Sequence, residues 1–367
     1  MVLLALSPVA LFVGLGLSGG TDASDERLDF KRPTDLAIRI TVQENHSLRE
    51  GRVGIKRGDS EEEALPVEVA IDTDLTAIVV DEVRAEGAGL RRSFQNVGGE
   101  VSAGARGLGD DIIGPTVELV SRLVGRGVAF VPNEGAPHGF ARHYDTAREA
   151  QESLLPRLEP PTDWSGLLPP EGVSGQTSGD TWEIEPSALR SILAPCGYLA
   201  RKGKSQDDAV PLDRRIERAL ENGVGANLQL LFEGEIEGTA RATVTAVQQD
   251  RREGNIALVE IEFELKSECD RTDALRTTHE LPPGEPAADV LSAALHLGLK
   301  GTARLRWSTE VQRPAGVEIT ADETVEFVVG LVDEDQLVSV ETLSLKGTFS
   351  GQAKIEDALL IGSERER

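Results

Sequence analysis

Apolar and polar residues alternate with a period of two through much of the C-terminal half of the chain. In residues 257–265, Phe263 and four other apolar residues fall on one face, and three glutamates fall on the other. Residues 303–311 repeat the pattern, with Leu305 and Trp307 on the apolar face. Such alternation is typical of strands with one buried and one solvated face. We therefore predict two long antiparallel strands of one sheet here.

Further strands are predicted on both sides of these two. Downstream, the alternation continues through residues 317–331 and 337–355, with a charged turn between them. The other predicted strands lie within residues 36–43, 67–83, 90–97, 128–143 and 228–249. Short turns between consecutive long strands favour an antiparallel meander.

Helices are predicted to be few and to lie between the blocks of strands. The strongest covers residues 211–222, whose apolar residues share one face and which Gly223 follows. The others are predicted at residues 117–124, 146–155, 186–193 and 286–297. Because an amphipathic helix buries its apolar stripe, we expect these helices to pack on a sheet face.

The predicted fold is therefore mainly β, with a few helices. It is a large curved antiparallel sheet or a partly closed barrel with helices on its concave face, for which a lipoprotein-carrier-like half-barrel is an analogy. The predicted divisions are an export signal (1–23), an N-terminal β-rich half (33–145), helices with a crossover loop (146–225) and a C-terminal antiparallel meander (226–361). The sequence leaves open whether the two β-rich halves form one sheet or two domains.

The N-terminus predicts export. Residues 1–17 form an uncharged apolar run, followed by Ser18, Gly19 and Gly20 and then by a polar stretch. We expect the signal to be removed, which makes the protein periplasmic or secreted. The run has no basic residue on its N-terminal side, so an uncleaved N-terminal anchor is the alternative. No later run reaches spanning length, so no membrane span is predicted in the mature chain.

Charge and composition narrow the classes of partner. The chain has 38 Lys and Arg against 63 Asp and Glu, a net charge of −25. Such a chain repels phosphate backbones. Aromatic residues, at 4%, offer few platforms on which bases could stack. Nucleic acid is therefore excluded as a partner.

The chain has two cysteines, Cys196 and Cys269. In an exported protein they could form one disulfide, whereas in a reducing compartment they would be small buried apolar residues. Their distance does not follow from the sequence, so both alternatives stay open.

The sequence contains short patterns that are typical of catalytic, cofactor or metal sites, but each lacks the surrounding structure or the spacing that such a site needs. Two glycine patterns, for dinucleotide binding and for a nucleophile elbow, fall within residues 14–20 and lack the strand and helix that such sites need. His138 and His143 lie five residues apart, which places them on opposite faces of a strand and unable to chelate one metal. The other histidines stand alone, at His46, His279 and His296. We predict no catalytic, cofactor-binding or metal-ligating residues, and no cofactor.

One short segment predicts a structural junction. Gly179 and Asp180 turn the chain, Trp182 enters a strand, and Pro186 begins a helix, so Trp182 should fill the space between sheet and helix. The segment resembles the G-D-x-W segment of uncharacterised exported bacterial β-rich proteins. That resemblance implies an exported β-rich protein, and the group has no established activity to imply.

A curved sheet lined by Val, Leu and Ala can enclose an apolar cavity. The leading functional hypothesis is therefore an exported, non-enzymatic protein that binds an apolar ligand or a protein partner in the cell envelope. One alternative is a hydrolase with dispersed Asp and Glu catalytic groups, which predicts perturbed carboxylates that share a cleft. The other is a purely structural envelope protein, which predicts a large apolar surface patch.

Overall fold

The structure is a computed structural model. It describes residues 37–58, 60, 63–83, 89–106, 112–113, 116–136, 139–145, 152–161, 164–169, 178–204, 234–250, 254–273, 289–310, 313–332 and 338–358. The predicted export signal and the predicted helix at 211–222 lie outside these residues.

The described residues form 14 strands and a few short helices, which confirms a mainly β protein. The strands are β1 (Ile38–Arg57), β2 (Glu63–Val83), β3 (Leu90–Arg106), β4 (Ile112–Ile113), β5 (Val117–Ser121), β6 (Gly127–Pro132), β7 (Phe140–Tyr144), β8 (Thr181–Glu183), β9 (Arg201–Lys204), β10 (Glu235–Asp250), β11 (Gly254–Asp270), β12 (Asp289–Ser308), β13 (Arg313–Val332) and β14 (Val338–Asp357). The helices are three 3-10 helices, Glu152–Arg157, Ser165–Leu167 and Pro186–Leu189, and the α-helix α1, Arg190–Leu193.

All of these strands belong to one antiparallel sheet that is not closed. Its main path runs β7-β6-β3-β2-β1-β14-β13-β12-β11-β10-β8, while β4 and β5 pair with β3, and β9 pairs with β5. β1 pairs with β14 near the middle of this path. Strands from both β-rich halves of the chain therefore join in a single sheet.

The two faces of the sheet differ in polarity. The inner face carries the core, and Ile40 and Ile261 are fully buried there. Phe263, Leu305 and Trp307 are also buried, at 5% exposure or less. The outer face of the same strands carries charged side chains such as Glu262 in β11. The alternation predicted for β11 and β12 is confirmed.

The inner face is covered by short helices and loops at residues 152–161, 164–169 and 178–200, here called the covering segment. Trp164, Leu167 and Leu193 from this segment are buried in the same core cluster as the inner-face residues. Trp182 in β8 is 6% exposed, and its Nε1 donates a hydrogen bond of 3.0 Å to the carbonyl oxygen of Leu167. Pro186 begins a 3-10 helix directly afterwards. Trp182 therefore links β8 to the 3-10 helix Ser165–Leu167.

Two predicted helices are wrong. Residues 117–121 form β5, which lies between β3 and β9 and pairs with both. Residues 289–297 form the start of β12, with Leu295 and Leu297 buried on the inner face. In both cases pairing with neighbouring strands decides the conformation, because a short apolar segment does not by itself distinguish a strand from a buried helix.

Phe263→Ala should lower the free energy of unfolding by about 3 kcal/mol, because it removes buried apolar area and leaves a cavity in the core. Urea denaturation of the variant measures this loss. Glu262→Ala, one residue away on the exposed outer face, is the matched control, and its effect should stay within about 0.5 kcal/mol. Equal losses in the two variants would contradict the assignment of faces.

Candidate functional site

A pocket of about 660 Å³ lies on the outer face, where residues from β10 to β14 line it. Its charged lining residues are Arg304, Arg306, Lys354, Glu260 and Glu318. Apolar residues also contribute, among them Leu258 and Ala315. The pocket thus combines charged walls with apolar surface on the solvated side of the sheet.

The pocket lies where a glycine interrupts a row of long side chains. Arg306 in β12 is paired with Gly316 in β13, and Gly316 is paired with Lys354 in β14. Adjacent strands lie about 4.8 Å apart, so the Cα atoms of the two cations are separated by roughly 10 Å. Because Gly316 has no side chain, the space between Arg306 and Lys354 stays open.

Two β-bulges shape the same region. The β12–β13 register shifts beside Ala315, and the β10–β11 register shifts at Thr245. Both residues line the pocket. Since bulges bend and twist a strand, they curve the outer face into a depression here.

The neighbouring row of side chains carries alternating charge. Arg304 is paired in register with Glu260 on one side and with Glu318 on the other. The Nε of Arg304 lies 4.0 Å from Oε2 of Glu260. Each carboxylate therefore has Arg304 as its lateral neighbour and not the other carboxylate, which is an arrangement for binding and orienting more than for paired acid–base chemistry.

A second polar cluster lies buried on the inner face, around Arg92. Its Nε and Nη2 donate hydrogen bonds of 2.7 and 2.8 Å to the two carboxylate oxygens of Asp81. Its Nη1 also donates to the carbonyl oxygen of Cys196 at 2.7 Å, and Nη2 to that of Pro195 at 3.2 Å. Arg92 on β3 thus ties the covering segment to the sheet through a bidentate ion pair.

His46 and Glu323 form the other centre of this cluster. The Nδ1 of His46 in β1 lies 2.9 Å from Oε2 of Glu323 in β13, across the intervening strand β14. Gly347 of β14 is paired with Glu323, and a Cβ there would lie 2.0 Å from the carbonyl oxygen of Ser47. Only glycine fits this close approach of β14 to β1, and it leaves the inner face open between the two side chains.

The charges around His46 decide its protonation. Burial alone lowers the pKa of His46, but the charge of Glu323, the hydrogen bond to Glu323 and the charge of Glu44 outweigh burial and the opposing charge of Arg201, so the pKa is raised. The Nη1 of Arg201 lies 3.8 Å from Oε2 of Glu44. His46 is therefore favoured as an imidazolium inside a charge-balanced cluster.

This inner cluster is closed to substrates. His46 is 3% exposed and Glu323 is fully buried. Burial raises the pKa of the Cys196 thiol to about 12, which makes it a poor nucleophile. Within the residues that the structure describes, no group of three or more His, Cys, Asp or Glu is arranged to hold a metal ion. The cluster acts as an anchor of the covering segment.

The covering segment contains a carboxylate with a raised pKa, Glu159. Burial raises the pKa of Glu159, while Arg190, Arg92 and Arg142 act in the opposite direction. The hydrolase hypothesis predicts perturbed carboxylates that share a cleft, whereas the charged groups that act on the pKa of Glu159 are arginines.

The cysteines and histidines named in the sequence analysis do not come together in one site within the described residues. Cys196 and Cys269 are both buried, and both are free thiols in the structure. His143 is exposed on β7, and His296 lies on the outer face with its Nδ1 3.6 Å from Oε2 of Glu268. His138 and His279 lie outside the described residues.

No protein-family model matches the chain, and no curated protein matches it. Among solved structures, the chain is similar to an outer membrane channel from Pseudomonas putida F1, with 7% identity and a TM-score of 0.19, over 92% of this chain and 100% of that one. Values this low do not establish a common fold. No helix in the described part of the chain is long and apolar enough to cross a membrane.

Proposed function

We propose that the protein is an exported, non-enzymatic binding module that holds its ligand in the outer-face pocket. The pocket carries this proposal, because its volume of about 660 Å³ falls in the range of small-molecule sites and side chains from several strands converge on it. Export rests on the apolar run at residues 1–17, which the structure does not describe.

The position of the pocket changes the kind of ligand that we propose. The apolar inner face is already covered by Trp164, Leu167, Leu193 and their neighbours from the chain itself. A purely apolar ligand there would have to displace this packing. The outer pocket instead suits a ligand with an apolar part against Leu258 and polar groups toward the charged walls.

Binding is favoured over catalysis by the way the carboxylates are placed. Glu260 and Glu318 both have Arg304 as their lateral neighbour. An acid–base pair needs two groups that face one reacting bond with different protonation states. Because their lateral neighbour is Arg304, these two glutamates are suited to act as fixed charges that orient a ligand.

Titration with N-phenyl-1-naphthylamine, a neutral apolar fluorophore, tests the proposal. We expect saturable binding to the wild-type protein, about tenfold weakened by Leu258→Asn, because the variant removes apolar wall from the pocket. Val247→Asn is the matched control, since Val247 is 45% exposed and lies outside the pocket. Absence of saturable binding, or equal weakening by both variants, would overturn the proposal.

A further inference from the structure

We propose that the ligand of the outer-face pocket carries an anionic group, which is bound between Arg306 and Lys354 above Gly316. This inference rests on the proposed function and specifies the chemistry of that same site. The group is a carboxylate, phosphate or sulfonate, joined to an apolar part that contacts Leu258.

The register separates these two cations from the other charges of the pocket. The lateral neighbours of Arg306 are Leu258 and Gly316. Those of Lys354 are Gly316 and Thr41. None of these neighbours is acidic, whereas Arg304 has a glutamate on both sides. The row that contains Gly316 is thus the cationic row of the pocket.

The ion pairs that these cations do make are with carboxylates outside this row. The Nη2 of Arg306 is 3.8 Å from Oδ2 of Asp250, and the Nζ of Lys354 is 2.6 Å from Oε1 of Glu356. Arg306 is 51% exposed and Lys354 is 66% exposed. Ion pairs of such exposed groups are weak, so an anion can compete for both cations.

Geometry and chemistry suit an oxyanion. Two long side chains on strands separated by one intervening strand can bend toward each other over the gap at Gly316. A guanidinium binds planar oxyanions through two parallel hydrogen bonds, and an ammonium adds a compact second charge. A chain of net charge −25 repels anions at long range, so local cations are needed to hold one here.

A pair of fluorophores isolates the effect of the anionic group. N-phenyl-1-naphthylamine and 8-anilino-1-naphthalenesulfonate share one ring system, and the second adds a sulfonate. We expect the sulfonate to bind the wild-type protein at least tenfold more tightly than the neutral compound. Arg306→Gln and Lys354→Gln should each weaken sulfonate binding three- to tenfold and leave the neutral compound within twofold.

The control for lost surface charge is Lys300→Gln. Lys300 is exposed on the outer face, pairs with Glu264 at 2.9 Å and lies outside the pocket. This variant should change neither affinity. Raising NaCl from 50 to 500 mM should weaken binding of the sulfonate and not of the neutral compound, because salt screens exposed charges.

Competition identifies the class of anion. Octanoate and octyl phosphate should displace the sulfonate fluorophore from the wild-type protein, and octylammonium should not. Displacement at lower concentration by octanoate would indicate a carboxylate ligand. Displacement at lower concentration by octyl phosphate would indicate a phosphate ligand.

The two proposals fail in different ways. If binding of the neutral fluorophore depends on Leu258 but the sulfonate fluorophore binds no more tightly, the pocket is a binding site and the proposal of an anionic group is wrong. Equal weakening of sulfonate binding by Lys300→Gln and Arg306→Gln would also overturn the anionic site. Binding that none of the pocket variants changes would overturn both proposals.

Discussion

Arg92→Met is expected to lower the free energy of unfolding by about 3–5 kcal/mol, the cost of leaving one partner of a buried ion pair uncompensated. Arg92 is 1% exposed and Asp81 is 4% exposed. The variant would leave the Asp81 carboxylate buried without its cation. It would also remove the hydrogen bonds that hold the carbonyl groups of Pro195 and Cys196 to the sheet.

Urea denaturation measures this loss, and the neighbouring residue supplies the control. Arg91 lies on the same strand, is 35% exposed, and pairs with Glu82 at 2.8 Å and also with Asp145. Arg91→Met should cost less than about 1 kcal/mol, because exposed ion pairs contribute little. The double variant Asp81→Leu with Arg92→Met should recover much of the loss, since it buries no unpaired charge. A loss below 1 kcal/mol in Arg92→Met would contradict the buried anchor.

The strand faces were predictable from the sequence because the period of side chains in a strand is fixed. In β11, every second residue from Ala257 to Leu265 is apolar, and the structure buries them all. The short turns also predicted the consecutive order of the strands from β10 to β14, but not the pairing that joins the two halves of the chain. Pairing of β1 with β14 depends on which edges meet, and local alternation contains no information about a partner about 300 residues away.

The buried polar cluster around Arg92 and His46 is indicated in the sequence by the spacing of residues along the strands, and not by any single residue. In β1, Ile38, Ile40 and Val42 are followed at the same spacing by Glu44 and His46, so two ionisable groups occupy core-facing positions. Glu323 interrupts the apolar face of β13 in the same way. An ionisable residue at a core-facing position requires a partner, because an unpaired buried charge is costly. The spacing therefore indicates buried pairs, although not which residues pair.

The outer pocket could not be predicted from the sequence. It depends on Gly316 lying between Arg306 and Lys354, and that juxtaposition exists only in one register of three strands. A shift of one residue in either pair would place other side chains around the glycine. The bulge beside Ala315 also moves the register; Pro314 and Gly316 flank it and are typical of a bulge, but they do not determine which residues pair.

The stability of the protein should fall as the pH rises above neutrality, because of His46. Its pKa is raised in the folded state above the ordinary value of 6.5. The folded state therefore binds the proton more tightly than the unfolded chain does. The resulting stabilisation is fully present below pH 6.5 and is lost as the pH rises through the pKa of folded His46.

His46→Gln should cost about 3–5 kcal/mol at pH 6, because Glu323 would stay buried without its cation. The difference from the wild-type protein should then shrink with increasing pH, since deprotonation removes the same interaction from the wild type. Urea denaturation at pH 6, 7.5 and 9 measures both effects, and the imidazole titration followed by NMR locates the pKa directly.

His296→Gln separates this effect from a general response of histidines to pH. His296 is 41% exposed beside Glu268, so its removal should change stability by less than about 0.5 kcal/mol at any of these pH values. Glu323→Gln provides the converse variant, because loss of the carboxylate lets burial act on His46 and lowers its pKa. The decline in stability above neutral pH should then disappear. If that decline persists in Glu323→Gln, a group other than the His46–Glu323 pair causes it.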